Sequence, residues 1–199
     1  MPELLEVETI KNDLLSYINL NYPIENIKIH DSLYFEKHSN FQNSEHIEGK
    51  IIHEIGRYGK VLYFNLSDGY LCFHLGMSGQ FVSKLNDTKY PQHLKISFSV
   101  NGKDAFFIDV RKFGWVKYVK DLLSVLPSGI DPLTKAFTQK YFKDKCLKGS
   151  RSIKTILLDQ NLIAGVGNIY ACEMLYYSGI NPGLSGNKIQ PVKQELLFR

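Results

Sequence analysis

The sequence predicts an α+β protein of two domains: an N-terminal helix with an antiparallel β-sandwich, then an all-helical part. Three observations carry this. Short apolar runs between Lys50 and Val119 are joined in two places by Asp68-Gly69 and Asn101-Gly102, dipeptides that turn one strand back on the next. After Pro127-Ser128-Gly129 the apolar spacing becomes helical. With 44% hydrophobic and 13% aromatic residues, the 199-residue chain can build real cores and is not a disordered polypeptide.

In chain order, Leu4, Val7, Ile10, Leu14 and Ile18 fall at helical spacing and predict an amphipathic helix that carries Pro2 and Glu3 at its start. Residues 22–49 are polar and irregular, and read as a mix of strand and loop. Strands follow at 51–55, 60–66, 70–75, 80–84, 93–100, 105–110 and 114–119, most simply closed as a sandwich. Helices are expected over 133–145, 152–161, 168–178 and from about 190. The natural cut lies between 120 and 132, giving domains 1–125 and 132–199. Ile189, Val192, Leu196 and Leu197 begin an apolar face that Arg199 cuts off, so a further C-terminal part is expected.

Twenty-four Lys and Arg against 20 Asp and Glu give a net charge of +4, which permits an anionic partner without demanding one. The excess is local: Lys135, Lys140, Lys143, Lys145, Lys148, Arg151 and Lys154 share their stretch with one acid, Asp144. Cys72, Cys146 and Cys172 are widely spaced with no CxxC pair, as expected of buried free thiols in a reducing cytoplasm. No stretch approaches the ~20 apolar residues of a membrane span, and the start is too interrupted by charge for a signal peptide.

The chemistry begins at Met1-Pro2-Glu3. Once Met1 is removed, Pro2 presents a secondary amine with a carboxylate beside it; an α-amino group has a pKa near 8 and is partly neutral at pH 7, so it can attack an aldehyde-like carbon to give an iminium. The same residues are also ordinary helix-start chemistry. Three more stretches combine cations, glycines and exposed apolar groups. Arg57-Tyr58-Gly59-Lys60 puts two cations at a strand mouth, and His74-Leu75-Gly76-Met77-Ser78-Gly79 would display Met77 between two groups able to bond phosphate. Asp109-Val110-Arg111-Lys112-Phe113-Gly114-Trp115 joins cations to an aromatic, with Trp115 read as core. Exposed Met with Arg-x-Phe suits the opening of a duplex, where apolar wedges replace lost stacking and arginine fills the vacated pairing edge. Last, Asp159 to Tyr170 links two helices through Gly165-Val166-Gly167, with Asn168 opening the second helix, where backbone N–H groups suit a phosphate. It is no nucleotide fingerprint, because no strand precedes it and no Walker lysine follows.

Taken in order, these motifs resemble the formamidopyrimidine-DNA glycosylase family, whose sister is endonuclease VIII, over essentially the whole chain. The resemblance implies a base-excision repair enzyme that removes oxidised purines such as 8-oxoguanine and formamidopyrimidines from duplex DNA and then nicks the abasic strand by elimination. It implies Pro2 as the amine that forms the Schiff base at C1′, Glu3 as proton donor at the sugar, Glu6 as a supporting acid, and Lys60 as a phosphate contact and proton donor in β elimination. Met77, Arg111 and Phe113 match the residues that fill the gap left by the everted nucleotide. His74, His93, Lys154 and Asn168 match DNA-contacting positions, and Arg151 does so in a less certain register. The fold implied is a β-sandwich followed by a helix-two-turn-helix domain.

The pattern departs in two places. Leu5 stands where relatives have a second proline, which removes no functional group. The family's four-cysteine zinc finger has no counterpart, and three scattered cysteines cannot rebuild it, so no cofactor is expected in this chain and zinc only in longer relatives. The expectations are damaged duplex DNA as partner, no membrane, a monomer and a bacterial, nucleoid-associated cytoplasmic location. Two readings follow: an active glycosylase/lyase, or a remnant that binds damaged or abasic DNA without turnover. Oxidised-pyrimidine specificity fits less well, because Met77, Arg111 and Phe113 follow the purine branch.

Overall fold

In a computed structural model the described residues are 2–41 and 44–198; Met1 and Arg199, on which the expectations of N-terminal processing and of an interrupted apolar face touch, lie outside them. The chain forms two compact units, Met1–Leu126 and Pro127–Arg199.

The first unit opens with helix α1 (Leu4–Tyr17), which buries Leu4, Val7 and Leu14. Its start is a capping box: the Glu3 side chain accepts from the Glu6 N–H, and the Glu3 N–H donates to Glu6 Oε2 at 2.9 Å. Strand β1 (Ile24–Ile29) and helix α2 (Ser32–His38) follow, then β2 (Ile52–Tyr58), β3 (Val61–Leu66), β4 (Gly69–His74), β5 (Gly79–Val82), β6 (Leu94–Val100), β7 (Lys103–Asp109) and β8 (Trp115–Val119). They build two antiparallel sheets, ordered β1-β6-β7-β5 and β2-β3-β4-β8. Phe64 and Phe73 of one sheet meet Phe81, Phe98 and Phe107 of the other in three edge-on pairs and one stacked pair, with centroids from 5.0 to 6.4 Å apart. Each such buried ring contributes roughly 1.5–3 kcal/mol. This aromatic seam makes the pair of sheets a sandwich.

The topology fixes what lies at one end of it. The β2–β3 hairpin turns at Gly59-Lys60; β4 leaves one sheet for β5 in the other through 75–78; β7 returns to β8 through 110–114. Register puts Val61 opposite His74, His74 opposite Trp115, and Gly79 opposite Asp109. All three connections therefore emerge together.

Several expectations need correction. Helix α2 lies in the stretch read as strand and loop; Asp31 caps it by accepting from Tyr34 N at 2.9 Å, and with seven residues it is too short to show a period. The turn before β4 is Ser67-Asp68 and not Asp68-Gly69: Leu66 pairs with Gly69, where a Cβ would come within 2.8 Å of the Tyr118 hydroxyl. Trp115 is not core but half-buried, and Cys172 is exposed while Cys72 and Cys146 are buried.

The second unit is helical. Residues 133–138 are not helix as expected, because Asp131 Oδ1 takes the Leu133 N–H and its carbonyl takes Thr134, closing a turn; Thr138 then caps α3 (Gln139–Tyr141), which runs into a π-helical turn over Phe142–Cys146. Helix α4 (Ile153–Leu158), capped by Ser152, is followed by α5 (Asn168–Ser178), ended by left-handed Gly179, and by α6 (Pro191–Phe198). No helix among the described residues is long and apolar enough to cross a membrane.

Candidate DNA-processing site

At the end of the sandwich where the three connections emerge, α1 lies against β2 and β3. Glu3, fully buried at the helix start, favours the charged form of Lys60 by its charge. Lys60 is half-buried, and burial lowers its pKa against that pull, so its ammonium releases a proton more readily than an exposed lysine's. Pro2, half-buried, precedes Glu3. Arg57, expected to offer a second surface cation, is turned inward instead. Its Nε donates to Glu8 Oε2 on α1 at 2.8 Å and its Nη1 to the Gly59 carbonyl at 3.0 Å. It ties the helix that begins with Pro2 and Glu3 to the turn that holds Lys60.

His74 caps the same end. Its ring stacks on Trp115 with centroids 5.6 Å apart, and its Nδ1 accepts from the Gly76 N–H at 3.2 Å. Burial, then the charge of Lys60, lowers its pKa, so the imidazole is neutral near pH 7 with its proton on Nε2, a donor suited to phosphate.

The two sheet-changing loops interlock over one residue that the sequence reading passed by. Asp109, fully buried, accepts from Ser78 Oγ at 2.7 Å, Lys112 N at 3.2 Å and Gly114 N at 2.8 Å, while Ser78 Oγ accepts from Arg111 N at 2.8 Å. Ser78 is thus spent inward rather than offered to phosphate. The loops touch backbone to backbone: a Cβ on Gly76, at φ +57, would lie 2.4 Å from Phe113 C and Gly114 N. Only glycine allows that approach. The frame leaves Met77 and Phe113 exposed, with the Arg111 guanidinium 5.0 Å from the Phe113 ring centre. The only signal for Asp109 in the sequence was an acid ending a strand two residues before Arg111. His93 is half-buried in the short turn that leads into β6, and the next residue, Leu94, pairs with Ile108 beside Asp109.

In the second unit, taken by itself, the turn between α4 and α5 is braced by Gln160, whose side chain donates to the Leu158 and Val166 carbonyls and accepts from Gly165 N. Asn168 is exposed as the first residue of α5, and Lys154 Nζ lies 3.4 Å from Cys172 Sγ one turn further along that helix. Arg151 Nη1 is engaged by Asp159 at 2.8 Å. Among the described residues no group of three or more His, Cys, Asp or Glu could hold a metal.

Pro2 beside a buried acid, a lysine whose proton is loosened by burial, and exposed apolar and cationic side chains on interlocked loops fit the class of enzymes that work on nucleotides turned out of a duplex. The comparisons narrow this. The family description "Formamidopyrimidine-DNA glycosylase N-terminal domain" matches residues 1–116, and "Formamidopyrimidine-DNA glycosylase H2TH domain" matches 128–199. A formamidopyrimidine-DNA glycosylase of Bacillus licheniformis is 33% identical over all of this chain and 74% of its own length. Among solved structures, the Lactococcus lactis enzyme bound non-covalently to DNA containing an abasic site superposes with a TM-score of 0.84 at 30% identity, covering 98% of this chain and 77% of that one. A MutM complex with DNA carrying carbocyclic 8-oxo-G gives 0.83 at 31% identity, over 99% and 75%. This chain belongs to the formamidopyrimidine-DNA glycosylase family.

Proposed function

We propose that the protein is a base-excision repair DNA glycosylase with abasic-site lyase activity, acting on oxidised purines in duplex DNA. The neutral Pro2 amine attacks C1′ of the everted nucleotide; the glycosidic bond breaks, its electron pair leaves with the base, which takes up the proton that the amine sheds, and Glu3 delivers a proton to the sugar ring oxygen as the ring opens to an iminium. That cation is an electron sink. Loss of a C2′ proton then expels the 3′ phosphate, and Lys60 holds or protonates that leaving group. Met77, Arg111 and Phe113 fill the vacated stack, while His74, His93, Lys154, Asn168 and Arg151 contact the backbone; using Arg151 requires opening its pair with Asp159. The division of labour is a catalytic domain over 1–125 and a DNA-gripping domain over 132–199. The enzyme works as a monomer on DNA in the bacterial cytoplasm and needs no cofactor for these steps.

One observation carries this reading: Lys60, its proton loosened by burial and its charge felt by Glu3, sits on the turn that Arg57 fastens to the helix opening with Pro2 and Glu3. The test is borohydride trapping on a duplex with one abasic site. A covalent adduct is expected from protein with a free Pro2 amine, lost when the amine is blocked or in Pro2→Gly. Tight binding with no adduct from correctly processed protein overturns the catalytic reading and leaves a binder of damaged DNA.

A further inference from the structure

Lys112 is exposed like its neighbours Arg111 and Phe113, but its ammonium is engaged by Asp31. The φ of Lys112 is +56, in the left-handed region, and the other positive-φ non-glycines among the described residues are three asparagines, Asn21, Asn26 and Asn101. An L side chain there costs about 1 kcal/mol or more, and such a residue persists where its surroundings fix it. Lys112 is fixed at both ends. Its N–H donates to Asp109 Oδ1 at 3.2 Å, and its Nζ pairs with Asp31 Oδ2 at 2.9 Å.

Asp31 is itself fastened from three sides. Oδ1 caps α2 by accepting from Tyr34 N, and Oδ2 is shared with Lys95 Nζ at 2.7 Å. Lys95 is buried on β6 with its ammonium 5.4 Å from the centre of the Tyr34 ring. One carboxylate thus serves two ammoniums: Lys95 holds it in place from inside, and Lys112 reaches it from the loop. The Asp109 network fixes the loop's backbone; the Asp31 pair fixes which way its middle residue points.

We propose that Asp31 is a positioning residue for nucleotide eversion, holding Lys112 back so that Arg111 and Phe113 face outward together as one wedge. This rests on the glycosylase reading above. Asp31 touches no reacting atom; it acts through Lys112.

Lys112→Met tests it, because it leaves the Asp31–Lys95 pair and the backbone bond in place. Two rates are compared under single turnover, excision of an oxidised purine and borohydride trapping at a preformed abasic site. A 2-aminopurine opposite the lesion reports wedge insertion by its fluorescence. Misplacing a wedge by an ångström costs roughly ten- to a hundredfold, so excision is expected to fall by about that factor relative to trapping, with a weaker 2-aminopurine response. Lys112→Arg recovers most of both, and Asp31→Asn, which can still cap α2, repeats the loss. An unchanged ratio overturns the proposal. So does a slope of log affinity against log salt reduced by about one in Lys112→Met with no change in fluorescence, the signature of a plain phosphate contact. Wild-type protein that traps no adduct sinks the glycosylase reading, whereas the 2-aminopurine response, compared between wild type and Lys112→Met, still decides for or against the tether.

Discussion

Replacing Asp109 by Asn changes one atom and should disturb both loops. The carboxylate accepts two bonds at Oδ1, from Ser78 and Lys112, and one at Oδ2, from Gly114. An asparagine must point its NH2 at one of these places. The cheaper orientation faces it towards Gly114, losing one bond and leaving a buried N–H opposite another donor; the other orientation loses two. The first costs about 2 kcal/mol, from the lost charge-assisted bond and the unsatisfied donor. With a urea dependence of about 2 kcal/mol per molar, the unfolding midpoint drops by about 1 M. Trp115, the only tryptophan of the chain, stacks on His74 at this end of the first unit and reports the transition of that unit by its fluorescence. Single-turnover excision is read on the same preparation and is expected to fall with the loosened wedge. A midpoint within 0.2 M of wild type (roughly 0.4 kcal/mol on the same slope), together with undiminished excision, would show that the carboxylate does not hold the loops.

Three further outcomes are expected. Burial lowers the pKa of Lys60 below 10.5, so the unfolded chain binds more protons in the window just below that value and stability rises with pH there; Lys60→Met lacks the rise, and thermal unfolding of the two proteins from pH 7 to 10 should show their difference moving in favour of wild type, a flat difference refuting it. Burial pushes the Cys72 thiol up to about 12 and the Cys146 thiol up to about 11, so iodoacetamide at pH 8 should label exposed Cys172 first and the other two only on unfolding, as peptide mass mapping would reveal. The buried Tyr34 hydroxyl has no hydrogen-bond partner among the described residues, so Tyr34→Phe should leave stability unchanged or raise it by up to about 1 kcal/mol; a loss of that size would mean the hydroxyl is bonded in solution.

What the sequence determined by itself is whatever short-range energetics set. Helix α1 follows from the spacing of Leu4, Val7 and Leu14, the β6–β7 hairpin from Asn101-Gly102, both at positive φ, and α5 from its apolar residues between two glycines. The candidate side chains were legible too, because glycine-flanked Met77 and Arg111-x-Phe113 stand out against an apolar strand pattern. What only the tertiary structure decided is how they are held. Asp109 sits 31 residues from Ser78, Lys95 64 from Asp31, and Arg57 49 from Glu8; those pairings exist only once register and sheet order have brought the strand ends together. Helix α2 escaped notice for the same reason. Its seven residues, about two turns, are too costly to form alone and are held by burial of Tyr34 and Phe35 against the sandwich, with Asp31 pinned by lysines from two other elements. Local periodicity fixed the elements; long-range burial of charge fixed the site.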